Sequence, residues 1–148
     1  MRRLSGWVVP MLLLEACAGG QMETNRTVPG EPAAVTDRVM AELTRLGFRG
    51  ITKGNGTIEA TAGNVAPSWA TCGPILVGDG DDRHRMVSAG RESGSLRIML
   101  APAGGGTSLA VVAEFAADYR NPYTTAGLER ACRTNGTLER MLLDAAAG

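Results

Sequence analysis

The sequence predicts an α+β fold: an antiparallel sheet of four to five strands, with an N-terminal and a C-terminal helix packed on one face. Three observations carry this. Val35, Val39, Leu43 and Leu46 fall at i, i+4, i+8 and i+11, the stripe of an amphipathic helix. Leu96, Ile98 and Leu100, then Leu109, Val111, Ala113, Phe115, Ala117 and Tyr119, recur at every second residue. That is the period of strands with one buried face. Leu138, Met141, Leu142 and Ala145 return to helical spacing near the end.

The chain begins with a stretch that builds no fold. Arg2 and Arg3 give a positive start, residues 7–14 a short apolar run, and Ala16, Ala18, Gly19 and Gly20 a small-residue exit. This is the make-up of a secretory signal peptide. The run is well short of the ~20 apolar residues that span a bilayer. Leu14-Glu15-Ala16-Cys17 resembles the bacterial lipobox. The resemblance implies cleavage before Cys17, a diacylglycerol on its sulfur and an acylated new amino end, enough chains for stable anchoring. Glu15 departs from that pattern. A rival cut also exists, because Ala16-Cys17-Ala18 is an A-x-A site whose use would release a soluble protein starting at Gly19. In a cell with two membranes, Ala18 after Cys17 implies the outer membrane, at its periplasmic face. The expected organisation is therefore a signal peptide over residues 1–16, a lipidated Cys17 with a flexible tether over 17–31, and a single α+β domain over 32–148.

Composition bounds the function. The 148 residues are one domain's worth, and at 4% aromatic the core must be aliphatic. The chain has 15 basic and 15 acidic residues. Losing Arg2, Arg3 and Glu15 with the leader leaves 13 and 14, net −1. Such a balance offers no footprint for nucleic acid and no polybasic run for anionic lipid. Of three cysteines, Cys17 is set aside under either cut, which leaves Cys72 and Cys132 as an even pair. In an oxidising compartment the pair reads as a disulfide closing about 60 residues, contributing roughly 4 kcal/mol by chain entropy. The competing reading is two unrelated buried thiols.

Along the domain, residues 18–31 are polar with Gly and Pro and without period, hence the tether. Residues 32–46 form the first helix, with Pro32 suited to its first turn and Gly47 to its end. Residues 48–53 and 57–62 flank Gly54-Asn55-Gly56, a hairpin. Residues 75–77 suggest a short buried strand. Residues 85–89, 96–101 and 107–119 are the expected meander, separated by turns at 90–95 and 102–106. Asn121-Pro122 opens a loop, residues 128–132 suggest a helical turn, and residues 137–146 the last helix. Glu139 sits in that helix's first turn, where it favours the positive end of the dipole.

Chemistry-bearing patterns are thin. Gly78-Asp79-Gly80-Asp81-Asp82 invites a calcium reading but places Arg83 and His84 where the EF-hand needs a ligand and a glycine. It reads as an acidic surface turn. Gly104-Gly105-Gly106 lacks the Lys-Ser/Thr of a phosphate loop and no helix follows it, so it reads as a hairpin turn. The single His84 stands between two arginines, a solvated setting. No serine lies in a G-x-S-x-G elbow, and the carboxylates are scattered. No catalytic residue, metal ligand or cofactor is nominated. Three N-glycosylation sequons, at Asn25, Asn55 and Asn135, carry little meaning in a bacterial chain.

The stretch Cys132-Arg133-Thr134-Asn135-Gly136-Thr137-Leu138-Glu139 resembles a recurring ending of small uncharacterised bacterial envelope lipoproteins. In these a Cys, a Ser/Thr-rich turn with Gly and a Leu/Phe-Glu pair open a final helix after a long strand. The resemblance implies export and an α+β domain, and carries over no functional residue. The helix–strands–helix order is also that of helix-grip domains, an analogy of fold alone. The expectation is an exported, lipid-anchored envelope protein, a non-catalytic structural or protein-binding accessory module. Its partners would be the membrane, through the lipid, and an envelope protein. The alternatives are a binding module for a small apolar or lipid ligand between sheet and helix, and a soluble secreted or periplasmic location.

Overall fold

The computed structural model describes residues 22–66, 68–77, 85–87, 90–120 and 127–148. The leader with Cys17, the acidic turn 78–82, His84 and Asn121-Pro122 lie outside the described residues. The elements in order are β1 (Asn25–Val28), α1 (Pro32–Arg45), β2 (Arg49–Gly54), β3 (Thr57–Ala62), β4 (Ala70–Thr71), β5 (Ile75–Val77), β6 (Arg85–Val87), β7 (Arg91–Ala103), β8 (Gly106–Arg120), β9 (Gly127–Thr134) and α2 (Thr137–Ala147). All strand pairs are antiparallel.

The fold is α+β, as the periodicities predict, but the sheet has seven strands rather than four or five. Its order is β2-β3-β7-β8-β9-β4, and β1 pairs with β8 off this path. The 15-residue β8 is the spine. One of its edges carries β7 from Ala103↔Gly106 to Arg91↔Asp118. Its other edge is shared: β1 takes the first part, from Val28↔Thr107 to Asn25↔Ala110, and β9 the second, from Phe115↔Cys132 to Arg120↔Gly127.

Four further differences follow from what local pattern cannot see. Residues 25–28, read as tether, form β1. Only Val28 there is apolar, and it is 1% exposed because β8 supplies the partner strand. Residues 128–132, read as a helical turn, belong to β9, again recruited by β8. Residues 85–87 leave the meander and pair with β5 in a separate two-stranded ribbon. Conversely, residues 91–95, read as a turn, continue β7.

Both helices lie on one face of the sheet. Val35, Val39 and Leu43 of α1 and Leu138, Leu142 and Leu143 of α2 are fully buried against Ile58, Ile98, Leu109 and Val111. Each fully buried aliphatic side chain contributes roughly 1.5–3 kcal/mol of transfer free energy. The period-3.6 stripes and the period-2 alternation are thus two sides of the same core. Beyond the helices, at the Phe115 end, the same face is covered by the chain between β3 and β7. That segment leaves the β3 edge after Ala62, buries Val65 and Trp69, and reaches the far side of the sheet, where β4 pairs with β9. Trp69 stacks on Phe48 with ring centroids 5.7 Å apart. Gly94 makes room for Phe115: a Cβ there would stand 2.9 Å from its ring.

Candidate functional site

Among the described residues nothing covers the face of the sheet opposite the helices, and its side chains follow from strand register. Residues on β3, β7 and β8 that point away from the core form cross-strand rows: Glu59, Arg97 and Val112, then Thr61, Ser95 and Glu114, then Ser93 and Ala116. The centre of this face is lined by small side chains, so it is hollow. Two adjoining troughs, of about 700 and 660 Å³, meet at Thr61, Ser95 and Glu114. One runs toward Ala131 on β9 and the other toward Gly50 and Thr52 on β2. Met99 and Val112 line the second and are 43% and 46% exposed. Arg97 Nη2 meets Glu59 Oε1 at 3.0 Å across the strands and closes one side with a surface ion pair. A broad, shallow face of Thr, Ser, Ala, Met and Val suits an extended apolar and polar contact rather than a deep ligand. Among the described residues, no group of three His, Cys, Asp or Glu side chains is placed to hold a metal.

The two cysteines nominated from the sequence come together. Cys72 and Cys132 have their sulfurs 2.00 Å apart and Cα atoms 4.5 Å apart, across 60 residues of chain. Cys72 follows β4 and Cys132 lies on β9, so the bond clamps the crossing segment to the sheet. The Tyr119 hydroxyl donates to the Gly73 carbonyl beside it. Cys17 lies outside the described residues.

No family model matches the chain, and no curated protein or solved structure matches it. Its residues must therefore be interpreted on their own geometry.

The C-terminal stretch 132–139 becomes a fastening in this structure. The Thr134 hydroxyl donates to Glu139 Oε1 at 2.9 Å and accepts the Gly136 N–H at 3.2 Å. Asn135 Oδ1 accepts the Thr137 N–H at 3.0 Å, and its amide donates to the Ser68 carbonyl at 2.7 Å. The Asn135 N–H bonds the Trp69 carbonyl at 3.1 Å. Gly136 takes φ 77° to turn β9 into α2. The side chains of Thr134, Asn135 and Glu139 hold α2, β9 and the Trp69 segment together. Glu139 is 2% exposed, and its Oε2 has no hydrogen-bond partner. Thr134 is thus what makes this buried carboxylate tolerable. Thr134→Val keeps the shape and removes that partner, and is expected to cost about 1–3 kcal/mol. A urea titration checks this as a lower midpoint with unchanged slope.

A second polar cluster lies at the start of β1. Arg26 donates from Nε and Nη2 to the two oxygens of Glu23, at 2.8 and 2.6 Å, and from Nη1 to Asp144 of α2 at 2.7 Å. The hydrogen bond from Arg26 holds the Glu23 carboxyl below its ordinary value of 4.5, against an opposing effect of burial. Arg26 is raised in turn, first by Glu23 and then by Asp144. Because the folded carboxyl is depressed, its contribution is complete above the unfolded value of 4.5 and is lost as pH falls through the lower folded value. Glu23 is exposed, so the effect is local. The Val111 N–H, which bonds the Thr24 carbonyl at 2.7 Å, is expected to exchange faster relative to the β7–β8 amides once the pH drops below that value. Hydrogen-exchange mass spectrometry across that range checks it. The pair Glu42–Arg45 on α1 shows the same mutual shift, Glu42 lowered and Arg45 raised by their hydrogen bond.

Sequence reasoning missed the open face because little marks it. Its residues are the polar partners in each alternating strand, which a sequence assigns simply to solvent. The one available signal was Met99 and Val112, large apolar residues in phase with Arg97 and Glu114 rather than with the core.

Proposed function

We propose that this chain is an exported, lipid-anchored envelope protein that acts as a non-catalytic structural or protein-binding accessory module. The observation that carries the reading is the cysteine set. Cys72 and Cys132 meet at bonding distance, which suits an oxidising compartment. That leaves Cys17 as the odd thiol, placed in Leu14-Glu15-Ala16-Cys17 after a positive and apolar leader. The resemblance of that leader to the lipobox supports anchoring in the outer membrane, facing the periplasm. The soluble secreted form, cut after Ala18, is the competing outcome. The open sheet face, with its troughs and its exposed Met99 and Val112, supports contact with a protein partner. A ligand held between sheet and helices draws no such support, because Val39, Leu43, Leu138 and Leu142 there are fully buried.

Intact-mass analysis of the full chain purified from membranes tests this. The expected mass is that of a chain beginning at Cys17 with its acyl groups, rising by two hydrogens on reduction. A chain beginning at Gly19, or an unmodified full-length chain, would overturn the anchored reading. Crosslinking in intact cells followed by purification is expected to return a reproducible envelope protein. Its absence would count against the accessory role.

A further inference from the structure

We propose that the domain docks edge-on against the bilayer by the edge formed by β1 and β9, with the β2 edge turned to the envelope space. The proposal rests on the anchored reading of Cys17, and its test separates the two.

The argument starts from where the chain becomes fixed. The tether expected over residues 17–31 does not reach to residue 31. The Thr24 carbonyl already accepts the Val111 N–H, and Arg26 is held by Glu23 and by Asp144 of α2. Met22 is held earlier still: its Cγ lies 2.3 Å from the position a Cβ on Gly136 would take. The chain therefore touches the domain from Met22 at the latest, beside the junction of β9 and α2. Five residue steps separate Cys17 from Met22. At about 3.5 Å each, their full extension is roughly 18 Å.

That reach is compared with the width of the sheet. The point where the chain enters lies on the flank of β8 shared by β1 and β9. From that row to β2 the order runs β9-β8-β7-β3-β2. Four spacings of about 4.8 Å make roughly 19 Å. A thiol carrying diacylglycerol sits at the base of the lipid headgroups, so part of the 18 Å is spent before the chain leaves the membrane. The link is shorter than the sheet is wide. With Cys17 in the bilayer, the β1–β9 edge can rest on the surface and the β2 edge cannot.

The side chains at the point of entry suit a lipid surface. Met22 is 42% exposed and apolar. Glu23 and Asp144 are both bonded to Arg26, so their charge is answered within the domain. Arg140, one turn into α2 and close enough to Glu23 to lower its pKa, is exposed and faces the same side. A guanidinium there matches lipid phosphate. The β2 edge has the marks of a strand kept from chance pairing: a register shift between Arg49 and Thr52, and Lys53 near its end.

The test uses the full chain, acylated and reconstituted into phosphatidylethanolamine–phosphatidylglycerol vesicles that carry a nitroxide headgroup lipid. A single fluorophore is placed on Asn25→Cys at the start of β1 or on Lys53→Cys on β2, both exposed positions, with Cys72–Cys132 oxidised. Quenching is expected to be several-fold stronger at position 25. Equal quenching, or stronger quenching at 53, with acylation verified by mass, would overturn the docking and leave the anchor standing. Absence of acyl chains in the mass spectrum would overturn the anchored reading itself. A Gly-Ser spacer inserted after Ala18, long enough to exceed the sheet width, is expected to abolish the difference. A difference that survives the spacer would overturn the short link as its cause.

Discussion

Replacing both Cys72 and Cys132 by alanine is expected to lower stability by about 4 kcal/mol. The bond closes a loop of 60 residues, and chain entropy for a loop of that length gives roughly this magnitude. Its location explains why little else would compensate. The segment between β3 and β7 crosses the whole sheet and is held on the far side by only a two-residue pairing, Ala70↔Thr134 and Thr71↔Arg133. Among the described residues its other attachments near that crossing are single hydrogen bonds, including Asn135 N–H to Trp69, the Asn135 amide to Ser68 and Tyr119 to Gly73. Trp69 and Val65 supply the apolar burial. Without the bond, these contacts must order a long segment unaided. The double variant avoids a free thiol that could pair wrongly. Urea unfolding checks the magnitude, and reductant should bring the unaltered chain to the variant's midpoint while leaving the variant unchanged. If reductant does not move the unaltered chain, the bond contributes nothing. A fluorescence shift at Trp69 that precedes global unfolding would show the crossing segment leaving first.

The parts of the fold that were legible in the sequence are those whose signal is local. The stripes Val35–Val39–Leu43 and Leu138–Leu142 found both helices within a residue of their ends, because each helix buries its own periodic face. The alternation along residues 96–119 found the two long strands for the same reason. What was not legible depends on a partner supplied from elsewhere. Asn-Arg-Thr-Val at 25–28 has one apolar residue and becomes a strand only because β8 has an edge left open below β9. Leu128–Cys132 is made a strand by the same edge. Arg85–Val87 has strand composition, but its register belongs to β5 rather than to the sheet. The cysteine pair was found by counting. The open face was not found, since a surface of Thr, Ser and Ala carries no signature until the strands are aligned.

These differences matter for function because the missed strand β1 converts a loose link into a short one. A chain free until residue 31 would let the domain turn in any direction above a membrane. If Cys17 is anchored as proposed, a chain fixed from Met22 would put one edge down, and the open face would stand at right angles to the bilayer, reachable from the side by a partner also held at the surface.

Gly106→Ala is expected to release β1 from the sheet. A Cβ at position 106 would stand 2.2 Å from the Val28 carbonyl oxygen and 3.1 Å from its carbon. Both are backbone atoms, so no side-chain rotation relieves the contact, and one of the strands must move. β7 holds β8 over its whole length, from Ala103↔Gly106 onward, whereas β1 has four register positions. β1 therefore gives way. Val28, 1% exposed, would lose its burial, and the Thr107 hydroxyl, fully buried and donating to the Gly30 carbonyl at 2.8 Å, would lose its acceptor. Overpacking costs typically about 1–3 kcal/mol, and an unpaired buried hydroxyl roughly 1–3 more, so a loss of about 2–6 kcal/mol is expected. Global stability and exchange report different things here. Urea unfolding should show the loss, and hydrogen exchange should show protection vanishing at the Val111 N–H while the β7–β8 amides next to it keep theirs. If Val111 stays protected, β1 has accommodated the methyl group and the close approach is not what fixes it. In the anchored chain the same substitution lengthens the free link by the residues β1 no longer holds. A fluorophore on Arg130→Cys of β9, exposed and still held in the sheet, should then lose its contrast with position 53 without any insertion, a test of the orientation that changes one methyl group and leaves the leader untouched.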